Sequence, residues 1–422
     1  MENAKKIRPD EVVILSAGEQ IRRKVLGTGK TIEDFAREIN FYPVSVKQYL
    51  RRHDGGSSSF KVKLTQYFQQ GYNEIVRNPE AQLAEKCAQL SENIHLYTEE
   101  GDAEVIAHLT RLVEEQGLAA QLPWMQRNLA LNRFYQNRVS EALALLFTAE
   151  AAVKTGRDVL ARATFSADLA LIHYYLCEYE PAADWIQEAE QALERLTEPG
   201  DKLRFLVAFR RGVISARQND SRAAVDSFRR ALQFAHEDTF IGIGNLHLAE
   251  AQYRSGRLQG AKDAYRLALT ALESDPFRQS FVYSSYAAML LAEGDIQRAA
   301  YFSEKAMGLC KGEHYLCSFQ HFETYARIRV RMGASQQACE TLIMMIERNS
   351  SEFVYRNEIL DALRILLDCF DQVGLDLTQR VEGAIQSLLS SAAEEEQSYV
   401  RELKELLAEL ASRKRAPAQI SG

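Results

Sequence analysis

Gly256-Arg-Leu-Gln-Gly-Ala-Lys-Asp-Ala-Tyr-Arg-Leu-Ala-Leu269 opens on a turn residue. Five residues on stands Ala261, four later the bulky Tyr265, and three after that Ala268. Seven residues before Gly256 is another small residue, Ala249. The same spacing recurs at Ala130, Asn137, Ala142, Leu146 and Ala149, and at Ala170, Cys177, Ala182, Ile186 and Ala189. It recurs at Gly212, Asn219, Ala224, Phe228 and Ala231, and at Ala287, Gly294, Ala299, Ser303 and Ala306. The last copy is Ala326, Gly333, Ala338, Leu342 and Met345. The central alanines lie 40, 42, 37, 38 and 39 residues apart. Small residues are required where two antiparallel helices cross closely, and Gly or Asn ends a helix by taking φ > 0. The pattern therefore predicts six helical hairpins, each stacked on the next.

The signature resembles the tetratricopeptide repeat. The periods exceed that family's usual ~34 residues, so the helices or inter-repeat turns are longer. The resemblance implies an all-α, right-handed superhelix whose first helices line a concave groove. Two weaker hairpins flank the six, one pivoting on Gly101-Asp102 and one on Gly374. Residues 393–412 form a polar capping helix, as a solenoid requires. Expected boundaries are a basic bundle over 1–78, the repeats over 79–412 and a disordered tail over 413–422.

With 422 residues, a chain of this length holds two or three domains or one long array. Hydrophobic residues at 46% and charged ones at 26% describe an ordinary folded protein. The net charge of −7 is uneven. Residues 1–70 hold 13 Lys/Arg against 8 Asp/Glu, so the rest carries −12. A basic segment ahead of an acidic body suggests a nucleic-acid module.

That segment contains a helix-turn-helix pattern. Ile21 and Val25 sit at i, i+4 with cations between them, and Gly27-Thr-Gly29 stops the helix. Thr31 with Asp34 three on has the form of a capping box. Phe35, Ala36 and Ile39 stripe a second helix, and Asn40 can end it. Pro43 suits the first turn of a third. Val46, Tyr49 and Leu50 then face inward. Pro43 and Val44 start the helix, and Ser45, Lys47, Gln48, Arg51 and Arg52 face out. Such a helix can enter the major groove, its amide and hydroxyl groups reading bases while cations hold phosphates. Phe60, Leu64 and Phe68 mark a fourth helix bearing Lys61 and Lys63; Tyr72, Ile75 and Val76 mark a fifth. Residues 18–22 and 31–49 resemble the Xre/Cro-like repressor helix-turn-helix. Tyr42 stands where that family carries a small polar N-cap, and Leu50 where it often carries an acid. The plain alternative is a five-helix bundle for protein contacts, with Phe41 and Tyr42 in its core.

Enzyme chemistry has no foothold. The six cysteines form no C-x-x-C pair, and no two histidines stand at H-E-x-x-H spacing. There is no phosphate loop and no G-x-S-x-G elbow. Cys310, Cys317, His314 and His321 are the one conceivable metal cluster, and their spacing suits a helix junction better. No cofactor, metal site or catalytic residue is expected. No apolar run of 18 residues predicts a membrane helix, and Met1–Lys6 lacks the apolar core of a signal peptide, so a cytoplasmic protein with reduced thiols is expected.

Counting along the first helices gives the groove candidates. They are Arg127 and Asn128, Asp168 and Tyr174, Arg210 and Arg217, and Glu250 and Tyr253, with Glu323, Arg327 and Arg331 further on. Asn can bond a peptide backbone both ways, Arg can clamp a carboxylate, and aromatics make pockets. Asn128 and Arg210 are the first choices for the backbone and carboxylate roles.

An Xre-like helix-turn-helix followed by such repeats resembles the RRNPP regulators of Gram-positive bacteria and their phages. The resemblance implies a homodimeric transcription factor that binds double-stranded DNA and senses a short signalling oligopeptide in quorum sensing. The alternative is a repeat scaffold that binds a protein partner such as a response regulator, without peptide control.

Overall fold

The computed structural model describes residues 6–7, 15–52, 56–94, 99, 101–136, 138–154, 158–196, 200–309, 319–349, 356–369, 375–392 and 397–415. Among them are twenty-two α-helices and no strand. The chain divides into two compact units, Met1–Ala152 and Val153–Gly422. The division falls beyond the expected edge at residue 78, so the first hairpins share a unit with the basic bundle.

The first unit begins with α1 (Ala17–Gly27), α2 (Ile32–Glu38), α3 (Pro43–Tyr49), α4 (Ser58–Phe68) and α5 (Tyr72–Ile75). Ile21, Val25, Phe35, Ala36, Ile39, Val46, Leu50, Phe60, Leu64 and Ile75 close one core. The caps are local and polar. Ser16 and Thr31 accept the amides of Glu19 and Asp34 at 3.3 and 3.1 Å. Asn40 takes φ 56°, which ends α2 and starts the turn. Gly18 permits the close packing of α1 on the end of α3: a Cβ there would lie 2.5 Å from the Leu50 carbonyl oxygen.

Next come α6 (Pro79–Glu92), α7 (Asp102–Glu115), α8 (Leu122–Tyr135) and α9 (Val139–Lys154), the last running past the division. Gln20 pairs with both backbone groups of Arg77 at 2.8 and 2.9 Å, and Gln82 accepts the Leu15 amide at 2.9 Å. These amides fasten the basic bundle to α6.

The second unit is built of hairpins. They are α10 (Val159–Tyr175) with α11 (Tyr179–Glu194), α12 (Asp201–Arg217) with α13 (Ser221–Leu232), and α14 (Asp238–Arg254) with α15 (Leu258–Ala271). Then follow α16 (Pro276–Ala292) with α17 (Ile296–Leu309), and α18 (Phe319–Arg331) with α19 (Ser335–Asn349). The chain continues with α20 (Arg356–Asp368), α21 (Leu375–Ser391) and α22 (Gln397–Arg415).

The repeat register holds at every described position. The six central alanines, from Ala142 to Ala338, are all fully buried. Cys177, Asn219, Gly256, Gly294 and Gly333 all take φ between 60° and 86°. Each allows the next amide to bond back five residues, as in Asp220 to the Ser215 carbonyl (2.9 Å) and Arg257 to that of Gln252 (2.8 Å). Asn137, Cys310, His314, Cys317, Gly374 and residues 416–422 lie outside the described residues; of the tail expected over 413–422, residues 413–415 instead belong to α22. Gly212 is small because a Cβ would lie 2.6 Å from the Phe228 ring. Replacing Ala224 or Ala261 by Leu is expected to overpack these crossings at a cost of about 1–3 kcal/mol. Thermal unfolding checks it; an unchanged melting temperature in both variants contradicts the register.

Candidate functional site

Two surfaces gather the sequence candidates, one in each unit. In the first unit α3 presents its outer face. Val46 and Leu50 are buried, while Val44, Lys47, Gln48, Arg51 and Arg52 are exposed and Pro43 and Ser45 half-buried. Tyr42 is 83% exposed and Val44 68%, both large apolar groups standing in water at the start of the helix. Of the two aromatics that the bundle reading placed in the core, Phe41 does pack, with its ring centroid 5.5 Å from that of Phe60. Tyr42 does not. It caps α3 without a side-chain hydrogen bond. Lys47 forms an ion pair with Glu33 of α2, which holds the Glu33 carboxyl below its usual range.

Arg127 and Asn128 turn inward within the first unit. Asn128 is fully buried and donates to the Ser91 hydroxyl on α6 at 2.8 Å. Arg127 donates to the Asn128 side-chain oxygen at 3.4 Å. The counting rule assumed an open face on α8, but α6 supplies a partner there.

In the second unit the remaining candidates form a polar ribbon along the first helices of the hairpins. Arg210 of α12 donates to the Ala167 carbonyl at 2.5 Å and to the buried Asp168 carboxylate of α10 at 3.3 Å. Arg217 donates to the Tyr174 hydroxyl at 3.4 Å and to Asp361 of α20 at 2.6 Å. Glu250 of α14 accepts from the Ser285 hydroxyl of α16 at 2.6 Å and contacts His247 Nδ1 at 3.1 Å. Gln320 of α18 donates to Ser285 Oγ at 2.6 Å. Burial would raise the Glu250 carboxyl, but His247, the Ser285 hydroxyl and Arg254 hold it down to about 2. Tyr253 is half-buried and packs against the Ala224–Met289 core. Glu323 accepts from Arg327 at 3.1 Å.

Sequence reasoning missed the part played by α20. Asn357 is 1% exposed and lies against α10 and α11. Its side-chain oxygen accepts from the Tyr179 hydroxyl at 2.6 Å and from Cys177 Sγ at 3.4 Å, and its amide donates to the Tyr174 carbonyl at 3.3 Å. With Arg217–Asp361, these bonds bring the row of first helices back on itself. The one signal in sequence was Cys177, the only turn residue of the six that is neither Gly nor Asn.

The likeness to solved structures is one of fold. The crystal structure of NprR with its cognate peptide NprX is similar at 14% identity and TM-score 0.48, covering 77% of this chain and 98% of that one. Aspartyl phosphate phosphatase F from Bacillus subtilis is similar at 12% identity and TM-score 0.48, covering 93% and 95%. PlcR from Bacillus thuringiensis, in complex with the peptide PapR7 and DNA, is similar at 12% identity and TM-score 0.40, covering 61% and 94%. No family model and no curated protein matches the sequence. Among the described residues no helix is long and apolar enough to cross a membrane.

Proposed function

We propose that the chain is a transcriptional regulator that binds operator DNA through α3 and is controlled by a short peptide held on the polar ribbon of the second unit. The observation that carries the DNA half is the two-sidedness of α3. Val46 and Leu50 pin it to the core, while Val44, Gln48, Arg51 and Arg52 are exposed on its outer side. Arg51 and Arg52 suit phosphates, and Val44 offers an apolar contact for a thymine methyl. The peptide half is supported by the ribbon. Arg, Asp, Glu, Ser and Tyr groups from α10 to α18 supply the donors and acceptors that an extended backbone needs where no strand edge exists. In this reading the protein acts as a homodimer, with two α3 helices meeting successive major grooves about 34 Å apart on a roughly palindromic operator.

The test uses an operator selected from a random duplex pool. Gln48→Ala is expected to cost about 1–3 kcal/mol and relax one base position. Arg51→Ala is expected to weaken all sequences alike. Unchanged affinity in both variants at fixed salt overturns the DNA reading, and the chain is then better read as a scaffold for a protein partner.

A further inference from the structure

Both connections of the basic bundle are tied together by one ring of hydrogen bonds. Leu15 stands where the chain enters α1, and Arg77 where it leaves α5 for α6. Gln20 lies five residues after Leu15, and Gln82 five after Arg77. Gln20 Nε2 donates to the Leu15 and Arg77 carbonyls at 3.0 and 2.8 Å, and Gln82 Nε2 donates to the same two at 3.0 Å each. The side-chain oxygens are crossed: Gln20 accepts the Arg77 amide and Gln82 the Leu15 amide, both at 2.9 Å. Each side-chain nitrogen thus uses both hydrogens, and each carbonyl both lone pairs. Upstream, Ile7 is 3% exposed in the core of α6–α8, and Lys6 donates to the Asp102 carboxylate of α7 at 2.9 Å. A bundle on one connection can turn about that backbone's φ and ψ. With the two connections bonded to each other, turning breaks the ring.

We propose that Gln20 and Gln82 are positioning residues that set the half-site spacing of the operator. The proposal rests on the DNA reading and deepens it: α3 reads each half-site, and the amide ring fixes where α3 points relative to α6 and α7. In a homodimer joined through the repeats, two bundles held this way reach only half-sites of one separation and one rotational phase. Two base pairs added between the half-sites shift the second by about 7 Å and turn it by about 70°. A freely turning bundle follows that change. A fixed one loses its second contact, and with it the gain of binding twice. Leu15, Gln20 and Gln82 are half-buried and Arg77 is exposed, so water can replace these bonds, and their loss frees the joint without unfolding the bundle's core.

The test uses the full chain and three duplexes: the operator selected from the random pool, the same operator with two base pairs inserted at its centre, and a single half-site. Gel-shift titration of the wild type should find the selected spacing bound about 100-fold more tightly than the lengthened one. The double variant Gln20→Met with Gln82→Met keeps side-chain bulk and removes all six bonds. There the ratio should fall to about ten-fold or less, with half-site affinity within about two-fold of the wild type. Gln82→Met alone serves if the double variant fails to fold, with the ratio expected to fall by at least about three-fold. A ratio unchanged in the variants overturns the proposal. So does a parallel loss of half-site affinity, which would mean that the ring holds up the bundle itself. A wild type indifferent to spacing overturns it while leaving the DNA reading intact. If the pool yields no bound operator, the DNA reading falls, and the proposal with it.

Discussion

Asn357→Ala is expected to destabilise the second unit by about 2–4 kcal/mol. The side chain is 1% exposed and makes three bonds to residues 178–183 positions away. Truncation leaves the Tyr179 hydroxyl without its acceptor and the Tyr174 carbonyl without this donor, and it opens a small cavity between α20 and α10. An unsatisfied buried group costs about 1–3 kcal/mol, whereas an exposed hydrogen bond would cost far less. The chain has two tryptophans, Trp124 in the first unit and Trp185 in the second. Urea unfolding followed by Trp185 fluorescence in a Trp124→Phe background isolates the second unit. A midpoint unchanged by Asn357→Ala would mean that α20 does not fasten to α10 and α11.

Acid is expected to unfold the second unit through His321. The ring is fully buried, with Nε2 2.8 Å from Ser280 Oγ and Nδ1 buried without a hydrogen-bond partner among the described residues. Burial pushes the imidazole down to about 4. An unfolded His titrates near 6.5, so between these values the unfolded chain binds the extra proton. The contribution is therefore complete above about pH 6.5 and is lost as pH falls towards 4. At about 1.4 kcal/mol per pH unit, it removes about 2 kcal/mol between pH 7 and pH 5. His321→Asn should lack this part of the slope. Equal pH dependence in wild type and variant contradicts the assignment.

The repeat register was legible because it is periodic. A small residue at each crossing and a turn residue seven positions on leave the same mark six times in the sequence, and burial and backbone angles agree at the described positions. The helices of the N-terminal bundle were legible from local chemistry: the Thr31 hydroxyl caps the start of α2 and Asn40 ends it by taking φ > 0. Two features left no such mark. Asn357 meets Tyr179 across 178 residues of chain, and a single long-range pair has no period to betray it. Asn128 sits at a position that counting assigns to the groove, but whether α8 is open there depends on α6, whose Ser91 takes the amide. Arg217 had the right face, yet the acid it pairs with comes from α20 rather than from a ligand. Counting along one helix gives the face a residue occupies; which neighbour covers that face is set by packing from elsewhere in the chain.

In the proposed function, α3 presents a DNA-reading face. The most direct measurement is the affinity of the full chain for a mixed-sequence duplex as a function of salt. Phosphate contacts release counterions, so log K should fall linearly with log salt, by about 0.9 for each phosphate neutralised. A slope worth several phosphates is expected, becoming shallower by about one in Arg51→Ala and again in Arg52→Ala. No binding at low salt, or a slope untouched by either substitution, would contradict it.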